Sequence, residues 1–227
     1  MNKSRAVVLL SGGMDSCVGA ALAVRDYGAA ALHISYGQRT EERERQSFLG
    51  ICDRLRIGER LVIRNEALKL IGGSALTDQN IAVPESSALG HGIPVTYVPF
   101  RNAHFLAVAV SWAEMLGASK IYIGAVEQDS SGYPDCRPAF YEAFNEVIKA
   151  GTREGGIEVV TPLIAMRKAE IVRLGLELGA PFDLTWSCYS REDRACGVCD
   201  SCVLRLRAFR EAGAVDPLPY ASLAQTV

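Results

Sequence analysis

A chain of 227 residues that is 49% apolar can bury a core without disulfides, so one main body with an appendage is the natural expectation. Its formal charge of −2 lacks the basic surplus of a general nucleic-acid binder. No apolar run approaches a membrane span, and "AVVLL" is too short for a signal peptide. Seven cysteines, four of them between Cys188 and Cys202, suit a metal site in a reducing compartment better than a disulfide framework. A soluble cytoplasmic protein is expected.

In chain order, Ala6–Leu10 reads as a short, continuously apolar strand and Ser16–Tyr27 as a helix ended by Gly28. Ala30–Ser35 is a second strand, followed over 40–56 by a charged helix with Phe48, Leu49, Cys52 and Leu55 on one side. Arg60–Ile63 is a third strand. Residues 71–96 are rich in Gly, Ser, Pro and Asn, and a loop of that length suggests a lid or an interface arm. Arg101–Leu116 is a strongly apolar helix closed by Gly117, and Lys120–Ala125 a fourth strand. Then come a helix over Lys168–Leu178, the cysteine cluster, and a basic amphipathic helix over Cys199–Glu211. Short apolar strands alternating with helices predict an α/β fold with a doubly wound, mainly parallel sheet. We expect an α/β nucleotide-binding domain over 1–160 and a small C-terminal helical, zinc-binding segment over 161–227.

The stretch "SGGMDS" follows a strand and opens a helix, where ligands bind in such sheets. Gly12 and Gly13 let the backbone approach an anion closely, and the free N–H groups at the helix start can hold phosphate. Ser11 and Ser16 add hydroxyl donors. Asp15 would repel phosphate unless a cation lies between them, so its natural partner is Mg²⁺. The lysine and spacing of a Walker loop are missing. A plain strand-to-helix turn with an Asp/Ser cap is the bland alternative. The stretch resembles the pyrophosphatase loop of enzymes that cleave ATP between its α and β phosphates, among them GMP, asparagine and NAD synthetases and tRNA-thiolating enzymes. That resemblance implies an adenine-nucleotide α-hydrolase-like fold, with ATP gripped by Leu10, Ser11, Gly12, Gly13, Met14, Asp15, Ser16 and Cys17. Taken alone, Cys17 reads as a small packing residue.

Cys188, Cys196, Cys199 and Cys202 are spaced C-x₇-C-x₂-C-x₂-C, with Gly197 for the sharp turn. Four thiolates at that spacing suit a closed, tetrahedral, structural Zn²⁺. Cys196, Cys199 and Cys202 also copy half of a ferredoxin run, but no Cys-Pro follows, and zinc is favoured.

The strings "YGQR", "VPFRN", "DSSGYPDCRPAF", "TPL", "KAEI" and "TWSCY…CGVCDSC" occur in this order. With the loop, they resemble the 7-cyano-7-deazaguanine synthase family from Val8 to about Phe209. The resemblance implies an ATP-dependent carbon–nitrogen ligase of queuosine biosynthesis, a tRNA modification pathway. It would convert 7-carboxy-7-deazaguanine and ammonia to the nitrile through acyl-adenylate and amide, releasing AMP and pyrophosphate. It also favours a homodimer that acts on small molecules, without direct nucleic-acid or membrane contact.

Donors on the deazaguanine edge suit a carboxylate, for which Asp135 is the first candidate and Asp129 the second; an Asx-type cap is the competing role for Asp135. Tyr133 could stack on the base or simply pack. Arg101 and Arg39 could hold phosphate or the substrate carboxylate, or make structural ion pairs. Arg137 joins the candidate substrate set, and Asn102 reads as a helix cap. The resemblance places Lys168 near the nucleotide phosphates, so Asp15, Lys168 and Arg101 form the candidate catalytic set. His33 reads as a core or strand-end histidine, while His91 and His104 belong to no motif. Catalysis should therefore rest on positioning and electrostatics.

After "YGQR" the family usually has histidine, whereas this chain has Thr40, itself a good N-cap. The departure raises the alternative of an enzyme that stops at the amide or takes another amine. Two other readings are a tRNA-thiolating relative and a zinc module presenting Arg194, Arg205, Arg207 and Arg210 as a basic face.

Overall fold

The computed structural model describes residues 3–85, 92–127 and 132–221. Five parallel strands form one sheet in the order β3-β2-β1-β4-β5. β1 (Arg5–Leu9) is central, between β2 (Gly28–Ser35) and β4 (Lys120–Ile123); β3 (Glu59–Arg64) and β5 (Glu158–Val160) are the edges.

β1 is apolar without alternation because both sheet faces are covered. Ala6 and Val8 face a core built with α1 (Met14–Asp26), α2 (Glu41–Arg54), α6 (Lys168–Glu177) and α7 (Asp200–Ala212). Val7 and Leu9 face the opposite core, built with α4 (Arg101–Leu116) and α5 (Pro138–Gly151). A short α3 (Glu66–Ile71) follows β3. Residues on both sides of position 160 share the first core, for example Val8 and Phe48 with Ile171 and Phe209.

The doubly wound parallel sheet agrees with expectation, with local differences. Gly28 does not end α1 but opens β2; α1 stops at Asp26, where Tyr27 turns extended (φ −132°, ψ 167°). β4 ends at Ile123 rather than Ala125 because Gly124 passes against the start of α1. A Cβ on Gly124 would lie 2.6 Å from the Ser16 nitrogen. α3, α5 and β5 lie beyond the anticipated elements. Of the 71–96 stretch, residues 86–91 lie outside the described residues, whereas Ser74, Ala75, Leu76 and Thr77 are buried. Among the described residues, no helix is long and apolar enough to cross a membrane.

Candidate active site

β1 sends its crossover to β2 on one side while β4 lies on the other, so a crevice opens at the carboxyl ends of β1 and β4. A cavity of about 290 Å³ occupies it, with the Ser11–Ser16 loop at one end and Tyr36, Arg101 and Tyr133 at the other.

The loop is held from beneath. Gly12 has φ +96°, a conformation that favours glycine, and a Cβ there would sit 2.6 Å from the Glu44 carbonyl oxygen. The Trp186 N–H donates to the Gly12 carbonyl at 2.8 Å, and the Arg43 guanidinium lies 4.7 Å over the Trp186 ring. The Ser11 and Ser16 hydroxyls are 3.0 Å apart, and Ser16 donates to the Gly13 carbonyl at 2.9 Å. Leu10, Ser11, Gly13, Met14, Asp15 and Ser16 line the cavity. Gly12 and Cys17 lie behind it: Cys17 is fully buried, and burial pushes its thiol up to about 12, a neutral packing residue. His33 is also buried under the loop, its Nδ1 3.1 Å from the Leu10 carbonyl.

The cation missing from the loop arrives from α6, whose first residue, Lys168, pairs with Asp15 Oδ2. Asp15 Oδ1 is buried with no partner among the described residues. An orphaned carboxylate oxygen facing a phosphate loop fits a hard divalent cation such as Mg²⁺.

At the far end, Arg101 donates to the Tyr36 hydroxyl at 3.0 Å and lies 5.9 Å from the Tyr133 ring centre. Tyr133 donates to Thr96 Oγ1 at 2.9 Å. Arg39 is on the wall, but makes no ion pair among the described residues. Its Nε donates to the Ala75 carbonyl at 2.7 Å and its Nη2 to those of Asp78 and Ile81 at 2.9 and 2.7 Å, stapling the 74–81 loop over the site.

Asp135 is turned toward α4: its Oδ2 accepts the Asn102 N–H at 2.9 Å, capping that helix from a distant segment, while its buried Oδ1 has no partner among the described residues. Asn102 is therefore not the cap; it lies inside α4 and donates its side-chain amide to the Asp135 carbonyl at 2.8 Å. Arg137 is exposed at the N-terminus of α5, outside the cavity wall. Asp129 and His91 lie outside the described residues.

Two groups emerge that the motifs did not single out. Gly124 brings β4 against α1, as above. Glu44 lines the cavity, its Oε1 accepting from Thr40 Oγ1 at 2.8 Å and its Oε2 from Gln38 Nε2 at 3.0 Å. Burial pushes its carboxyl up to about 7, against the pull of those two bonds and of Arg101. Thr40 begins α2 but makes no side-chain cap; its hydroxyl goes to Glu44 instead. The signal in the sequence was an acidic residue four places after Thr40, one helical turn away.

The Sγ atoms of Cys188, Cys196, Cys199 and Cys202 lie within 4.8 Å of one another. Tetrahedral zinc with Zn–S near ~2.3 Å needs sulfurs about 3.8 Å apart, and Cys196 and Cys202 stand at 3.9 Å. N–H groups of Ser190 and Cys196 point at Cys188 Sγ, both at 3.4 Å, and that of Cys199 at Cys196 Sγ at 3.3 Å, as thiolate ligands require. The donor set fits zinc. Cys188 lies two residues after Trp186, so the cluster and the loop share one segment. Arg205 does not belong to an exposed basic face: it is 2% exposed and binds Asp216 through Nε and Nη2 at 2.7 and 2.9 Å.

The 7-cyano-7-deazaguanine synthase of Koribacter versatilis is 73% identical over 221 residues, covering 96% of this chain and 93% of the relative. That of Acidobacterium capsulatum is 68% identical over 96% of this chain and 97% of its own length. The solved ammonia-dependent NAD synthetase of Campylobacter jejuni aligns at 16% identity with a TM-score of 0.47, over 81% of this chain and 68% of that one. The family model described as queuosine biosynthesis protein QueC matches residues 5–213, and the chain belongs to that family.

Proposed function

We propose that this chain is an ATP-dependent carbon–nitrogen ligase that converts 7-carboxy-7-deazaguanine and ammonia to 7-cyano-7-deazaguanine. The observation that carries the reading is the lysine-free loop completed by Lys168, at a switch-point crevice, in a chain 73% identical to a relative of that name. The loop N–H groups, Ser11 and Ser16 grip the β and γ phosphates as a leaving group. Asp15 would hold Mg²⁺, which neutralises pyrophosphate charge when bound. Lys168 adds a second cation next to the breaking bond. The substrate carboxylate attacks the α-phosphate, giving acyl-adenylate and pyrophosphate. Ammonia displaces AMP to give the amide, and a second ATP activates the amide oxygen for loss as AMP.

Arg101, held by Tyr36 and set among aromatic rings, orients the planar substrate with Tyr133. Arg39 shapes the wall by fixing the loop above it. Asp135 acts through the start of α4, behind the cavity wall, by accepting the Asn102 N–H. We take the nitrile as the end product, zinc as the structural metal, and the cytoplasm as the setting. Small molecules are the only substrates, with no nucleic acid engaged directly. Exposed Phe100 just before α4, Met115 on α4 and Val147 on α5 support a homodimer, which light scattering checks.

The test is pyrophosphate release with ATP, Mg²⁺, ammonium and 7-carboxy-7-deazaguanine, with the product identified by mass spectrometry. Quantitative nitrile is the expected result. No release above background refutes the reading, and accumulation of the amide would limit it to the first half.

A further inference from the structure

The reaction proposed above uses ammonium, whose nitrogen must shed a proton before it can attack. Asp15 and Glu44 are the carboxylates on the described cavity wall. Asp15 is engaged by Lys168, whereas no Lys or Arg forms an ion pair with Glu44 among the described residues. Each Glu44 oxygen accepts one bond from a neutral donor, which leaves a lone pair on each for a small cation.

The position is rigid. The Glu44 backbone carbonyl rests against Gly12, so the residue is tied to the phosphate loop itself. Gln38 is held in turn by the Tyr36 N–H, which donates to its Oε1 at 2.8 Å, and Thr40 is 2% exposed. We infer that Glu44 is the general base of the amination half-reaction: it draws ammonium into the cavity beside the acyl-adenylate and takes its proton. The assignment rests on the proposed function. In the step, one ammonium proton passes to the Glu44 carboxylate. The freed lone pair forms the C–N bond while the C–O bond to AMP breaks, its electron pair leaving with the phosphate. The proton lost as the nitrogen becomes an amide goes to that departing phosphate.

Other wall groups are poorly matched to this task. Burial pushes the Cys136 thiol up to about 11 and the Tyr36 phenol up to about 12, so both stay protonated near neutrality. No described histidine lines the cavity: His33 lies beneath the loop, and His104 Nδ1 is 3.4 Å from Asn65. The carboxyl of Glu44 is raised by burial to about 7. Arg101 and the bonds from Gln38 and Thr40 oppose that rise, and Glu41 adds to it. A base poised near the working pH transfers protons most effectively.

The experiment separates the two halves of the reaction in the full-length, zinc-loaded protein. Carboxylate-dependent ATP–pyrophosphate exchange reads adenylation, and mass spectrometry reads the nitrile as ammonium is varied. For Glu44→Gln we expect exchange within about threefold of wild type and kcat/KM for ammonium down by about 100-fold near pH 7. That loss should shrink to less than about tenfold near pH 9, where more nitrogen is present as free ammonia. Unchanged amination overturns the assignment. So does a fall in exchange that matches the fall in amination, since Glu44 would then only shape the site. If E44Q does not fold, Glu44→Asp carries the test. A drop confined to the ammonium kcat/KM supports the base, and equal drops in both reactions refute it. Absence of exchange in wild type would instead sink the proposed function.

Discussion

Asp15 leaves one buried oxygen unpartnered, which is unfavourable by about 1–3 kcal/mol until a ligand arrives. The loop is thus built for occupancy, and Asp15→Asn should lower ATP–pyrophosphate exchange by about 100-fold or more, as loss of a transition-state charge contact does. Glu44 exacts a similar penalty with a definite sign. Its folded-state pKa is raised from 4.5 to about 7, so the folded protein binds the proton more tightly than the unfolded chain. Its contribution is fully present below about pH 4.5 and is lost as pH rises through about 7, a loss on the order of 3 kcal/mol. Thermal melts should therefore show Glu44→Gln gaining on wild type at about pH 8 relative to about pH 5. The Asp15 role was legible from a carboxylate placed in a phosphate loop, whereas no motif singled out Glu44. Thr40 and Asn102 look like caps locally, yet Thr40 serves Glu44, and the start of α4 is capped by Asp135, 33 residues beyond Asn102.

The elements explain how the cysteine cluster reaches the chemistry. The segment between α6 and α7 lays Trp186 against the phosphate loop, with its N–H on the Gly12 carbonyl, two residues before Cys188. Metal binding contributes on the order of 10 kcal/mol to ordering such a segment. Chelation, or Cys199→Ser, should lower Tm and weaken ATP binding together, as read by melting and by nucleotide titration. Gly124 tests the opposite wall. A Cβ there meets the Asp15 carbonyl carbon at 2.7 Å as well as the Ser16 nitrogen, so Gly124→Ala should push α1 and raise the KM for ATP several-fold. α4 and α6 were legible because each carries an apolar stripe and starts or stops at the anticipated residue. β5 was not: three residues at a sheet edge, one of them buried, form no run. α5 did carry a signal, with Pro138 at its start and Tyr141 and Ile148 on its inner face.

At the scale of the whole molecule, the parallel sheet and a ligand-binding loop after β1 follow from local patterns, whereas the strand order β3-β2-β1-β4-β5 depends on which edge each crossover takes and was not anticipated. A boundary near residue 160 has less to support it physically. Ile171, Val172, Ala208 and Phe209 pack in the same core as Ala6, Val8, Phe48 and Ile51. Removing the C-terminal part would strip α6 and α7 from the helices α1 and α2 that cover this face of the sheet and expose the apolar side chains they share, and burying apolar area at about 25 cal/mol per Å² is what holds such layers together. Arg205 reinforces the join from within α7. Its Nη1 donates to Thr185 at 2.7 Å and its Nη2 to the Phe182 carbonyl at 3.3 Å, while Asp216 neutralises it. Breaking one side of such a buried pair typically removes about 3–5 kcal/mol. We therefore propose that the zinc-loaded chain unfolds as one cooperative unit. The two tryptophans allow the measurement, because Trp112 lies in α4 and Trp186 in the C-terminal part. In a Trp112→Phe variant, fluorescence reports Trp186 alone, while far-ultraviolet circular dichroism reports all helices. Coincident denaturant midpoints and slopes are expected. A Trp186 transition at clearly lower denaturant would establish a separable C-terminal domain, and would mean that the phosphate loop loses its support before the sheet opens.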